Sequence, residues 1–522
     1  MRKFLLLGVA AAVICLLGAG FLLTGTRIPV DFSAASNSDR SARIHPDYCG
    51  TVIPANIAPL NFVVDEPGTA YGVRIRSQNG NPIDITSRTN RIIIPAGQWR
   101  ELTESNSGGD LWFDIHVRGE DGKWSRFKPI ANKIADAPID RYLFYRLMKP
   151  IYIIRVNLAI NQRDVETYAE TTVLSNRTSN GGCINCHTFA PNHPDRMLVQ
   201  CRPRDETSPW NGMTVVRENE VFKVDTRALI GNPESNRGRI PRSQAAYSAW
   251  HPNGRLIAYS ANDISQFFHA AGENRDVFDA ESDLGIYDTQ SNTVLTVPQI
   301  SAPDRLETFP TWSPDGKFLY FCSATPHAQN QFREIKYDLV RVSYDPESEQ
   351  WGNVEPVLAA ADTGLSISEP RVSPDGQWLL FCMSEYGSFP AYQPSSDLYL
   401  LDLETDELHS LDEVNSPLCE SWHSWSSNSR WIAFASKRRD GLFSRIYFSY
   451  VDQTGHAHKP LVLPQEDPTY YDRLIKTYNV PELTTFPAPA KGKELTTVIR
   501  SPDFRGGFMA EGASDMQSMD VP

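Results

Sequence analysis

The sequence has no surplus of positive charge and no basic tract. Its 522 residues carry 50 Lys and Arg against 63 Asp and Glu, a formal net charge of −13. That balance argues against nucleic acid as a partner. Cysteine is scarce as well. The eight present (Cys15, Cys49, Cys183, Cys186, Cys201, Cys322, Cys382 and Cys419) are too few and too scattered for a disulfide scaffold. There is no Gly-x-Ser-x-Gly nucleophile elbow and no paired catalytic motif, so a hydrolase has little support. Long apolar runs are missing except at the start of the chain.

What is there is aromatic and turn-rich. Hydrophobic residues make up 41% of the chain, enough to bury large cores, and Pro (37) exceeds Gly (32). This is the balance of a mainly β protein of two or three domains.

The one long apolar run, Phe4 to Leu23, follows Arg2 and Lys3. About 20 uncharged residues can cross a bilayer as a helix. The basic end should stay in the cytoplasm and send the rest outward. The expectation is a signal anchor over residues 1–25, single-pass in the inner membrane, with the bulk in the periplasm. A cleaved signal, leaving a periplasmic protein, is the alternative. Residues 26–44 are small and polar and read as a linker.

From residue 45 to 137, short alternating segments such as "YGVRIRS", "NRIIIPAGQW" and "LWFDIHVRGEDGKWSRF" predict a small antiparallel β-sandwich of immunoglobulin or fibronectin type. Residues 138–187 form a connector rich in Tyr and Arg. Short helices are expected near 139–148 and 164–174.

A repeat then dominates the chain. "YSAWHPNGRLIAYSA", "TFPTWSPDGKFLYFCS", "SEPRVSPDGQWLLFCM" and "SWHSWSSNSRWIAFAS" align, and "TFAPNHPDRMLVQC" is a weaker copy. Each places a Pro-Asp-Gly type turn before an alternating apolar strand, and a second pair of strands follows. Four strands per repeat, stacked radially, predict a β-propeller over residues 188–483. Five blades are plain. A sixth would be split between the connector and the C-terminal segment. Residues 484–522 lack periodicity and are expected to be a disordered tail.

The chemistry concentrates in "CINCHTF", residues 183–189. A c-type haem is joined through two cysteine sulfurs two residues apart, and the next histidine ligates the iron. At this composition a chance Cys-x-x-Cys-His has a probability on the order of a few per thousand. Cys183, Cys186 and His187 are therefore expected to hold one covalent haem c. Met197 and His269 are the candidates for the other axial position, with His193 a weaker one. A vacant site would suit small-ligand binding. A thioredoxin-type disulfide would need a βαβ context, and the spacing of further Cys and His does not match a zinc pattern. Cys322 and Cys382 share a repeat position and read as core. His423 with Glu420 could line a funnel. Arg438 and Arg439, in a solvated hairpin, could meet a haem propionate.

The Ser-Pro-Asp-Gly repeats resemble the TolB-like propeller family. With "PANIAPLNF", "CINCHTF", "SDLGIYD", "SDLYLLDL" and "NVPEL", most of the chain resembles exported bacterial proteins that combine a β-sandwich, one Cys-x-x-Cys-His and a TolB-like propeller. The resemblance implies architecture and haem binding more than a reaction. Three functions follow as expectations. The first is a membrane-anchored monohaem cytochrome passing electrons to or from a periplasmic protein. The second is a non-catalytic envelope-binding propeller with a structural or sensory haem. The third is a haem-dependent enzyme.

Overall fold

The computed structural model describes residues 35–150, 157–179, 181–191, 193–202, 212–225, 244–268, 275–506 and 508–509. The expected anchor lies outside the described residues, and so does His269. No helix among the described residues is long and apolar enough to cross a membrane.

The C-terminal three-quarters of the chain is a ring of six blades among the described residues. Blade 1 runs from Cys183–Phe189 to Glu220–Asp225 and blade 2 from Gln244–Trp250 to Thr293–Leu295. Blade 3 runs from Leu306–Trp312 to Gln350–Leu358, blade 4 from Ser366–Val372 to Leu408–Ser410, and blade 5 from Glu420–Trp425 to Leu461–Val462. Blade 6 is composite. Its inner strand, Thr477–Thr484, comes from the C-terminal side, and its other three are Tyr142–Met148, Ala159–Asp164 and Glu170–Ser175. Each inner strand packs against the next, and Thr477–Thr484 meets Cys183–Phe189. Packing between blades therefore completes the ring, while no single sheet closes on itself.

The radial gradient of burial explains the repeat. Inner strands are the most buried: every residue of Leu306–Trp312 and of Glu420–Trp425 is buried. The outer strand Gln350–Leu358 has no buried residue. Between the first two strands, the Ser-Pro-Asp-Gly turns build a small hydrogen-bonded loop. Ser313 Oγ reaches Asp315 Oδ1 at 2.6 Å and accepts from the Phe318 amide at 2.9 Å. Gly316, at φ 74°, supplies the left-handed residue the turn needs. Its missing Cβ matters too, because one placed there would lie 2.5 Å from the ring of His251 in blade 2.

Each inner strand also breaks register at the same height. The breaks fall between Ile184 and His187, Ala245 and Ser248, Thr308 and Thr311, Ser368 and Arg371, and Ser421 and His423. In blade 6 the bulge lies between Asn479 and Glu482. Phe309, Glu369, Trp422 and Val480 take positive φ there. Such bulges re-aim side chains, and here the residues around them line the axial channel.

The expected connector helices are strands. Tyr142–Met148 is buried along both faces, so its apolar residues run without the alternation of a half-buried strand. The expected disordered tail is also corrected in its first part. Residues 492–500 form a helix that buries Leu495 and Ile499 against Val173 and Leu174 of blade 6. Arg505–Gly506 then adds in parallel to the outer strand of blade 1, and Phe508–Met509 to that of blade 2. Residues 510–522 lie outside the described residues.

The N-terminal module has a seven-stranded and a three-stranded sheet around one core. It is not purely antiparallel. Ser36–Ser41 pairs in parallel with Trp124–Lys128, and Val52–Ile53 with Ile130–Ile134. A helix, Ala96–Glu104, stands at the end of the segment expected to be a strand and buries Trp99 and Leu102. The module's core is continuous with blades 5 and 6 through Trp431, Phe448 and Tyr478. Trp431 Nε1 donates to the Ala137 carbonyl at 3.0 Å, and Asp140 accepts from the Ser427 amide and hydroxyl at 2.8 and 2.7 Å.

Candidate functional site

The Cys-x-x-Cys-His segment is the inner strand of blade 1, Cys183–Phe189, and the register break falls inside the motif. Cys186 occupies the bulge and His187 follows it. Both line a channel of about 270 Å³ on the propeller axis. The wall is apolar and aromatic on one side. Tyr247 stacks on Phe309 with ring centroids 3.9 Å apart, Trp422 lies 5.8 Å from Tyr247, and Cys186 packs against this cluster.

His187 is fully enclosed. Phe144 and Phe189 flank it with ring centroids 6.3 Å away. Neither ring nitrogen has a hydrogen-bond partner. Burial, reinforced by the Arg146 guanidinium, pushes its pKa down to about 3, so the imidazole is neutral at physiological pH. A neutral imidazole with a free lone pair is the form that ligates iron. Glu482 Oε2 stands 4.0 Å from Nε2. Burial pushes that carboxyl up to about 7, and its Oε1 accepts from the Phe189 amide at 2.9 Å. Arg146 is itself buried and donates to Asn185 Oδ1, which holds the middle of the motif to blade 6.

The donor set fits a c-type haem in chemistry: two thiols outside any disulfide and a buried imidazole with no partner on either nitrogen. The placement fits in part. Cys186 and His187 stand in the channel wall, but the His187 side chain is fully buried between Phe144 and Phe189. Cys183 is half-buried and packs with Cys201 in the cluster between blades 6 and 1.

Of the other expected site residues, His423 lines the channel from blade 5, as expected, and the rest disperse. Met197 begins the second strand of blade 1, fully buried among Phe144, Phe189 and Val199, and does not line the channel. His193 sits in the turn before that strand, with Nε2 2.9 Å from the Pro252 carbonyl. Glu420 is not a partner of His423. It is buried elsewhere, accepting from Ser416 and Ser436, each at 2.7 Å, with Arg438 at 3.1 Å. Arg439 pairs with Asp472. Neither arginine reaches the channel.

Sequence reasoning missed Glu369, Arg371 and Glu482, which line the channel from blades 4 and 6. A signal existed. Glu369 falls where the aligned repeats carry Phe309 and Trp422, and a lone carboxylate at an apolar bulge position is an anomaly.

No family model and no curated protein matches the chain. Solved structures do show similarity, at low identity. TolB from Acinetobacter baumannii is 13% identical, with 74% of this chain and 85% of that one covered and a TM-score of 0.40. An oligogalacturonate lyase from Vibrio parahaemolyticus is 13% identical, covering 75% and 100%, with a TM-score of 0.33. Kuenenia stuttgartiensis hydrazine synthase is 13% identical, covering 53% and 65%, with a TM-score of 0.30. The propeller itself is established by the ring of blades described above.

Proposed function

We propose that this chain is an exported monohaem c-type cytochrome whose propeller holds the haem at its axial channel. The observation that carries the reading is His187, a buried imidazole without a partner on either nitrogen, directly following two cysteines at haem-attachment spacing. Bound at that site, the haem iron would take up and release one electron. Cys183 and Cys186 would each add their sulfur to a vinyl group. His187 is kept neutral by burial and Arg146, and so is ready to ligate. The Tyr247–Phe309–Trp422 cluster offers flat apolar surface beside Cys186. Attachment at Cys183 requires the start of the strand to swing toward the channel. Gly181 and Gly182 precede it, and Gly181 already has a left-handed backbone at φ 80°.

The apolar run at residues 4–23 supports export and tethering at the inner membrane, with a periplasmic protein as electron partner. Electron transfer is favoured over catalysis because the haem-attachment motif is the strongest chemical signal in the chain. The second reading is an envelope-binding propeller, favoured by the Ser-Pro-Asp-Gly repeats alone.

The test is expression with the cytochrome c maturation machinery, followed by a denaturing gel stained for haem. A stained band at full size, lost in Cys186→Ala, is expected. A folded, haem-free protein would remove the cytochrome and leave the binding propeller.

A further inference from the structure

A second donor cluster lies on the same channel, across the ring from blade 1. Glu369 stands on the bulge of the blade 4 inner strand, Cys382 on the next strand of that blade, and His423 on the inner strand of blade 5. One ligand atom from each lies within 4.8 Å of the others, and all three residues are buried. Cys382 Sγ is 3.6 Å from Glu369 Oε2 and 3.7 Å from His423 Nδ1.

These separations have a chemical meaning. Tetrahedral zinc bonds of about 2.0–2.3 Å put neighbouring donors about 3.3–3.8 Å apart. The tautomer is set as well. His423 Nε2 is 3.1 Å from the Leu380 carbonyl, which can only accept, so Nε2 carries the proton and the Nδ1 lone pair faces the thiol. Glu369 Oε2 already accepts from the Trp422 amide at 2.5 Å. Its Oε1 is buried with no partner, although Glu369 is only 5% exposed. With Glu369 ionised, one thiol proton cannot satisfy a carboxylate oxygen and an imidazole lone pair together, so the ionised cluster has more acceptors than donors. Glu369 also holds a left-handed backbone, φ 56°, that keeps it at this position.

We infer that Glu369, Cys382 and His423 form a metal site for a zinc-like divalent ion. A thiolate, an imidazole and a carboxylate are a donor set that suits zinc. Glu369 and His423 line the channel while Cys382 sits behind them, so the ion is reached from the channel and keeps its fourth position on that side. Three protein ligands and one open position is the arrangement of a site that binds water or a small ligand rather than a closed structural site. The site is independent of the haem: it shares no ligand with Cys183, Cys186 or His187.

The test is titration of the full-length protein with Co(II) and with Zn(II) alone, with iron and zinc counted separately. The expected result is about one metal per chain and a thiolate-to-Co(II) charge-transfer band that Zn(II) abolishes. Cys382→Ser should remove the band and weaken Zn(II) binding by at least about 100-fold. Glu369→Gln should weaken binding and leave the band. Cys322→Ser, the same repeat position one blade earlier, should change neither. No band and no retained zinc in the folded wild-type protein would overturn the site. A band that survives Cys382→Ser would place the metal on another thiol, for instance Cys183 or Cys186, and would overturn it equally. Should Cys382→Ser fail to fold, Glu369→Gln and the wild-type titration decide the matter.

Discussion

His187 and His423 face one channel from blades 1 and 5, and they differ in one respect. Both are buried, and burial pushes both pKa values down to about 3. His423 is tied: Leu380 fixes its tautomer and Cys382 faces its lone pair. His187 is untied: neither nitrogen makes a hydrogen bond, and Glu482 Oε2 comes no nearer to Nε2 than 4.0 Å. A buried polar atom without a partner costs about 1–3 kcal/mol. The pair therefore separates two kinds of preparation. One histidine is oriented by the protein for an ion. The other is held neutral with no hydrogen-bond partner, which is the state the proposed haem would need.

The comparison breaks most completely at the covalent level. Cys186→Ala should abolish haem attachment and leave zinc binding intact, whereas Cys382→Ser should do the reverse. Haem staining and metal analysis of the two variants check this, and loss of both groups in either variant would mean one shared site.

A smaller effect separates the histidines in haem-free, metal-free protein. His187→Leu should be neutral or stabilising by about 1–3 kcal/mol, because it removes orphaned polar atoms. His423→Leu should cost about 1 kcal/mol or more through the lost hydrogen bond to Leu380. Urea unfolding curves give both values.

The frame common to both sites can be tested through Trp431, fully buried and bonded to the Ala137 carbonyl. Trp431→Ala should lower stability by about 3–5 kcal/mol. It should do so without changing the ratio of haem to zinc, because Trp431 does not line the channel.

A further expected effect is on pH. Glu307, in blade 3, is pushed up to about 9 by burial, with Asp283 adding to the rise while the Ala302 amide and Arg305 oppose it. Asp279, in blade 2, is pushed up to about 7 by burial, opposed by hydrogen bonds from Asn262 and Tyr337. In each case the folded state keeps a proton that the unfolded chain has already released. Stability therefore falls as pH rises from about 4 toward these values. Glu307→Gln should flatten the decline in melting temperature between about pH 6.5 and 9. An unchanged slope would show that Glu307 is ionised in the fold.

Much of this architecture was legible in the sequence, for physical reasons that can be named. The Ser-Pro-Asp-Gly loops recur because each inner hairpin needs the same turn, and the apolar strand after each turn has no solvent-facing side to vary. Even the composite sixth blade was anticipated as one split between the connector and the C-terminal segment, since the connector leads into the repeats and the segment follows them. The strands of Tyr142–Met148 were hidden because burial on both faces erases alternation. The C-terminal strap was hidden because two-residue pairings such as Arg505–Gly506 leave no pattern. Cys-x-x-Cys-His was visible as a contiguous motif. The Glu369–Cys382–His423 cluster was not, because it assembles from three strands of two blades, and Cys382 shares its repeat position with the buried Cys322.

The central claim is that His187 is the iron ligand, and the ferric protein's absorption and electron paramagnetic resonance spectra test it most directly. His187→Ala, with both cysteines intact, should retain covalent haem and change its spin state or axial-ligand signature relative to wild type. Identical spectra in the two proteins would contradict the account, for then the imidazole that the fold leaves without a partner would not be the iron's ligand.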